Sequence, residues 1–314
     1  MKRTKYPIHP DFKAWTNLNP PLNRAMLPAV QKLMGLLFER EKSAAGVSVE
    51  RKSIPVGDGA SIRALWYCPE DIEGPSPCLM YYHGGGFALP AGPYHYSLAR
   101  EYAQRARCRV LFADYRLAPK YPFPTAPEDC FAAYLWVLGH AGELGVDPHR
   151  VAVTGDSAGG ELSAVVCLMA RERGVTAPCG QMLVYPATGA GRETQSMKKY
   201  TDTPMCNSRD FEKYVKFYLP DPADEEKVYA APVKAESLAG MPAAYIETAE
   251  FDCRRDDGIL YAKRLRQFGV PVELNNTEGT MHGFDIVLDS PIVRACVDRR
   301  IAFLNRVFSG TALF

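Results

Sequence analysis

Residues 151–160 read Val-Ala-Val-Thr-Gly-Asp-Ser-Ala-Gly-Gly, and the fold class rests on what this stretch is. Val151, Val153 and Thr154 suit a strand buried inside a parallel sheet. Gly155, Ser157 and Gly159 follow with the G-x-S-x-G spacing of a sharp strand-to-helix turn. Such a turn is strained and crowded, so the positions two before and two after the serine must lack a Cβ for neighbouring backbone to pass. The Ser157 hydroxyl is therefore expected at the carboxyl end of a strand, above the start of a helix.

On both sides of this turn the chain alternates between strand and helix patterns. Upstream, the apolar run 78–82 reads as a buried strand that leads straight into His83-Gly84-Gly85-Gly86-Phe87. Three consecutive glycines are costly in chain entropy. What they gain is bare backbone, whose successive N–H groups can turn toward one point and stabilise a developing negative charge. The run lacks the G-x-G-x-x-G spacing of a dinucleotide loop and the lysine of a P-loop. His83 and Gly84 are read as support for this loop.

A hairpin is expected over residues 47–67, turning at Gly57-Asp58-Gly59. Helices are expected at 94–107, 128–138, 162–169, 255–268 and 291–308, and further strands at 109–113, 181–185, 243–248 and 272–275. That rhythm describes a parallel sheet wrapped on both faces. Two stretches break it. Residues 22–41 place Met26, Leu27, Val30, Met34, Leu37 and Phe38 at helical spacing after Pro20 and Pro21. Residues 188–232 contain no good strand but carry an aromatic helical face of Phe211, Tyr214, Val215 and Tyr218. Both are read as pieces of a cover over the site; surface helices lying outside it are the alternative.

Composition narrows the function. Thirty-seven Lys and Arg against 36 Asp and Glu give a net charge of +1, which offers neither nucleic acid nor an anionic membrane a reason to bind. The 314 residues, 47% of them hydrophobic, suffice for one large α/β domain with insertions. Nine cysteines without C-x-x-C pairs suggest reduced thiols in a cytoplasmic protein, with neither a disulfide framework nor a zinc site. The basic N-terminus has no apolar run behind it, and residues 25–38 are too short and too interrupted for a bilayer span.

A serine hydroxyl needs a base within hydrogen-bond reach and a group that orients that base. Of six histidines, His9 lies in the N-terminal tail, His95, His140 and His149 in or beside helices, and His83 in the glycine loop. His282 remains, in a loop expected after a strand. For the acid, Glu250, Asp252, Asp256 and Asp257 crowd together. Asp256 and Asp257 are explained as first-turn residues favoured by a helix dipole, and position favours Asp252 over Glu250. Since ligands of open α/β sheets bind at the carboxyl ends of strands, Ser157, Asp252 and His282 should reach one edge. Asp156 reads as a loop-fixing group.

Taken together, HGGGF at 83–87, DYRLAP at 114–119, YPFP at 121–124, Glu128-Asp129, GDSAGG at 155–160, ETAEFDCRRD at 247–256 and HGF at 282–284 make the chain resemble the hormone-sensitive-lipase-like branch of the α/β-hydrolases. The resemblance implies a mostly parallel eight-stranded sheet with helices on both faces and a helical cap. Core would occupy residues 47–187 and 233–314, and cap residues 1–46 and 188–232. It also implies Ser157 as nucleophile, His282 as base, Asp252 as orienting acid, and an oxyanion hole at the N–H groups of Gly85, Gly86 and Ala158.

The reaction implied is hydrolysis of short acyl esters, acetyl to about hexanoyl, on a small-molecule substrate without cofactor or metal. An amidase or deacetylase with the same triad, or a catalytically silent receptor of the same fold, are the alternatives. Phe87, Asp156, Tyr185, Phe211 and Tyr214 are candidate pocket residues, with Trp15 a further aromatic of the cover. A homodimer is compatible with the sequence. The chain departs from the family pattern in two places: Glu161 stands where many relatives carry asparagine, and Cys253-Arg254 interrupts the usual run after the acid.

Overall fold

The inner strands are apolar at successive positions rather than at alternate ones, which only a sheet covered on both faces can use. In the structure, a computed structural model that describes residues 5–17, 23–189 and 191–311, both faces are covered. Eight strands, β1 (Val47–Pro55), β2 (Ser61–Pro69), β3 (Ser76–Tyr82), β4 (Arg109–Asp114), β5 (Val146–Asp156), β6 (Gln181–Val184), β7 (Ala244–Phe251) and β8 (Val272–Met281), lie in the order β1-β2-β4-β3-β5-β6-β7-β8. β1 and β2 form the expected hairpin, β2 meets β4 antiparallel, and every pairing from β4 to β8 is parallel.

The helices are α1 (Leu27–Arg40), α2 (Pro93–Arg105), α3 (Thr125–Gly139), α4 (Ala141–Leu144), α5 (Ala158–Glu172), α6 (Gln195–Lys199), α7 (Ser208–Tyr218), α8 (Arg255–Gln267) and α9 (Pro291–Ser309). The period of two along β3 divides its side chains between two cores. Met80 and Tyr82 join the core built by α3, α5 and α8. Leu79 and Tyr81 join that of α2 and α9.

Several boundaries differ from the sequence-based expectation. The start expected for the first helix, Leu22, lies outside the described residues, as do Pro20 and Pro21. The helix begins at Leu27, with Pro28 in its first turn, where a missing N–H costs nothing. β5 begins at Val146, so His149 belongs to that strand and is exposed there, away from any helix. The larger difference is in β7 and β8, which run to Phe251 and Met281, past the expected ends at 248 and 275. Asn275 and Asn276 have poor strand propensity, yet β8 pairs with β7 through them and, after a bulge that takes in Gly279, Phe251 meets Met281. Asp252 and His282 therefore follow directly on a cross-strand pair. Among the described residues no helix is long and apolar enough to cross a membrane.

Candidate active site

β5 ends at Asp156 and α5 starts at Ala158, so the turn between them is a single residue, Ser157, with φ 54° and ψ −116°. That is an unfavourable backbone conformation for a residue with a side chain, and it is held because the surroundings leave no alternative. A Cβ on Gly155 or Gly159 would run into the Tyr82 carbonyl oxygen. The close packing of β3 against this turn thus requires both glycines, as the sequence pattern implied.

The strand ends bring the three spaced residues together. Nε2 of His282 lies 2.8 Å from Ser157 Oγ, and Nδ1 lies 2.7 Å from Asp252 Oδ2. Asp252 is fully buried, and its second oxygen accepts from the Arg254 N–H at 2.8 Å. Of the competing acids, Glu250 accepts from the Gly279 N–H at 2.8 Å, Asp256 from the Ser196 N–H at 2.8 Å, and Asp257 pairs with Arg254. Burial works against a charged His282, but the charge of Asp252, then the nearby Cys206, then the hydrogen bond to Asp252 push its pKa up to about 9.

The glycine loop faces the same serine. Gly85 and Gly86 have φ of +119° and +59°, conformations open to glycine, and a Cβ on Gly86 would enter the Tyr214 ring. The N–H groups of Gly85, Gly86 and Ala158 donate to no other described residue. Ala158 is the first residue of α5, at the positive end of its dipole. His83 sits behind the loop: fully buried, stacked on Tyr115 with ring centres 4.5 Å apart, its Nδ1 2.6 Å from the Gly84 carbonyl. Burial lowers its pKa to about 4 and keeps it neutral.

Asp156 ties the loop to the turn. It accepts from the Gly84 N–H at 3.0 Å and from His95 Nε2 at about 3.1 Å. His95 Nδ1 accepts from the Gly92 N–H at 2.9 Å, which fixes the proton on Nε2. Burial favours a neutral Asp156, but the electrostatic pull of the His95 ring and these hydrogen bonds outweigh it and hold the pKa below the usual range. His95, passed over in the sequence as one more helical histidine, belongs to this support. Only its contacts across the fold reveal that.

Above Ser157 lies a cavity of about 580 Å³, within the roughly 300–1,000 Å³ usual for small-molecule sites. The candidate pocket residues Phe87, Asp156, Tyr185, Phe211 and Tyr214 all line it, as does Trp15. So do residues not singled out as site residues: Met34, Cys206 and Arg254, the last with its guanidinium 4.1 Å over the Phe211 ring. Among the described residues no cluster of three or more His, Cys, Asp or Glu could hold a metal, and all nine cysteines are unpaired.

Beneath Tyr185 is a charge cluster with no signature in the sequence. Arg300, fully buried, pairs with Glu247 at 2.5 Å and Asp285 at 2.9 Å. Tyr245 donates to Glu247 at 2.5 Å and Tyr185 to Asp285 at 3.0 Å. The Tyr185 ring, braced in this way, packs 5.0 Å from that of His282.

An eight-stranded sheet in this order, with serine, acid and histidine delivered in turn to its carboxyl edge, defines the alpha/beta hydrolase fold, and residues 79–286 match the model of that family. The chain belongs to it, in the hormone-sensitive-lipase-like branch. It is 37% identical over 263 residues to the carboxylesterase NlhH of Mycobacterium tuberculosis, covering 82% of each chain. It is 33% identical over 235 residues to the ethyl acetate hydrolase of Pseudomonas putida, covering 74% of each. A solved bacterial heroin esterase superposes with a TM-score of 0.87 at 36% identity, covering 96% of this chain and 98% of that one.

Proposed function

We propose that the protein is a serine carboxylesterase acting on small esters with short acyl groups, acetyl to about hexanoyl, through an acyl-enzyme. The observation that carries this reading is the unbroken chain Asp252–His282–Ser157, with links of 2.7 and 2.8 Å, beside N–H groups with no partner of their own among the described residues. The names of the relatives, carboxylesterase and ethyl acetate hydrolase, point the same way.

In this mechanism Ser157 Oγ attacks the ester carbonyl carbon while His282 Nε2 takes its proton. Asp252 holds the imidazole with Nε2 toward the serine and stabilises the imidazolium that forms. The carbonyl oxygen, now negative, turns to the N–H groups of Gly85, Gly86 and Ala158, each such donor being worth about 3 kcal/mol. Collapse of the tetrahedral intermediate breaks the bond to the alcohol, which leaves with the proton from His282. Water then repeats the sequence on the acyl-enzyme and releases the acid.

Helices α1 and α7, with the segments that carry them, act as the cap, and their aromatic and aliphatic side chains favour small apolar groups over long acyl chains. A p-nitrophenyl ester series from acetate to decanoate tests the reading. Turnover of acetate and butyrate that declines beyond hexanoate, and that Ser157→Ala abolishes, is the expected result. Intact acetate and butyrate, or full turnover by Ser157→Ala, would refute it.

A further inference from the structure

Two residues of the cavity lining, Glu161 and Tyr218, are buried with side-chain oxygens that lack a partner among the described residues. Glu161, one turn beyond Ser157 on α5, has its N–H on the Ser157 carbonyl at 3.2 Å and lines the cavity. It is 4% exposed, and its Oε1 has no hydrogen-bond partner among the described residues. Tyr218, the last residue of α7, is 2% exposed, lines the same cavity, and its hydroxyl has no partner among those residues either. Its ring is fixed, stacked 3.6 Å from Phe87, and its carbonyl accepts from the Phe123 N–H at 2.9 Å. Buried polar atoms in native proteins are paired with few exceptions, and an exception on the wall of a ligand site calls for a ligand atom.

We propose that Glu161 and Tyr218 form a polar subsite that binds a neutral oxygen of the substrate, a hydroxyl, ether or carbonyl set away from the scissile ester. This inference rests on the esterase reading and names the substrate class within it: small oxygenated esters. The charges nearby argue against a cation. Arg254 lines the same cavity, paired with Asp257 and lying over the face of Phe211 but with its Nε lacking a partner among the described residues, and it would repel an ammonium group beside Glu161. Burial raises the Glu161 pKa well above the usual range, against the pull of Arg254 and with a contribution from Asp257. A neutral carboxyl and a phenol together offer two donors and several acceptor lone pairs. Sites built to hydrogen-bond a substrate oxygen discriminate strongly against analogues that lack it.

The test compares matched esters in each enzyme variant. On the acyl side the pair is p-nitrophenyl butyrate and methoxyacetate; on the alcohol side it is butyl acetate and 2-methoxyethyl acetate. Intrinsic reactivity and the folded fraction cancel when the ratio of kcat/KM within a pair is compared between variants. In at least one pair the wild type should favour the oxygenated ester about tenfold more than Glu161→Met does, the equivalent of one hydrogen bond of about 1.4 kcal/mol. Glu161→Gln should keep most of that preference, and Tyr218→Phe should lose part of it. Equal ratios in wild type, Glu161→Met and Tyr218→Phe for both pairs, with all four esters cleaved, would overturn the subsite and leave the esterase reading intact. A wild-type preference for cationic 2-(dimethylamino)ethyl acetate that Glu161→Gln abolishes would overturn it in favour of a charged carboxylate. Failure of the wild type to cleave any ester would overturn both.

Discussion

The carboxyl edge of the sheet and the helices above it are built to different standards. In α5, which follows directly on Ser157, all thirteen residues from Ala158 to Ala170 are buried, whereas α1 buries Leu27 and Phe38 and α7 buries Tyr218 alone. At the edge, Asp252, Asp156 and Tyr185 are each held by hydrogen bonds from other elements. Helix α1 is tied to the glycine loop chiefly by Gln31, which donates at 2.8 Å to both the Ala88 and Ala118 carbonyls, while Met26, Leu33 and Leu36 stay exposed. Few buried contacts mean a low free energy of local opening. Reacting groups need fixed positions within a fraction of an ångström, while a cover over the site has to admit substrate. On the proposed reading the chemistry belongs to the edge, and the choice of substrate to the cover together with Glu161, which α5 contributes to the cavity wall from the edge side.

Substitutions sharpen that division. Ser157→Ala should lower kcat by ~10⁴ to ~10⁶ with little change in melting temperature. Asp252→Asn, which leaves His282 without its orienting charge, should cost about 10⁴ in kcat. Deeper in the edge, Arg300→Met leaves Glu247 and Asp285 buried without their cation and should destabilise the fold by about 3–5 kcal/mol in denaturant unfolding.

The pH dependence follows from His282. Its folded pKa, about 9, is above the ordinary 6.5, so the stability it contributes is complete below pH 6.5 and is lost as pH rises through 9. Catalysis needs the neutral imidazole and gains over the same interval. We expect kcat/KM to climb by up to about tenfold per pH unit toward 9 while stability declines. A plateau already reached at pH 7 would show that the Asp252 charge is offset in solution. The smallest effect is expected in the cover: Gln31→Leu should cost about 1 kcal/mol and act on KM more than on kcat. A loss in kcat comparable to that of Asp252→Asn would erase the distinction between edge and cover.

Much of the edge was legible because its demands are local. The glycines around Ser157 and the run at Gly84–Gly86 are dictated by backbone that must approach closely or adopt positive φ, and such demands restrict residue type at fixed spacing. The helical period of Phe211, Tyr214, Val215 and Tyr218 likewise pointed to the cavity wall they form. The ends of β7 and β8 were not legible, since Asn275 to Thr277 become strand only by pairing with partners about 28 residues away in sequence. Nor were the roles of His95 and Arg300, whose partners are 61 and 53 residues distant. A buried polar network is defined by contacts that leave no period in the chain. Glu161 stood out only as a departure from a pattern; its isolation against the cavity is a property of the fold.

The central claim is that Ser157 is an activated nucleophile, and covalent trapping tests it most directly. Protein incubated with a fluorophosphonate should gain the mass of one phosphonyl group, located on Ser157 by peptide mapping, and Ser157→Ala should gain none. An unmodified protein, or a label on another residue with ester hydrolysis lost in parallel, would contradict the account.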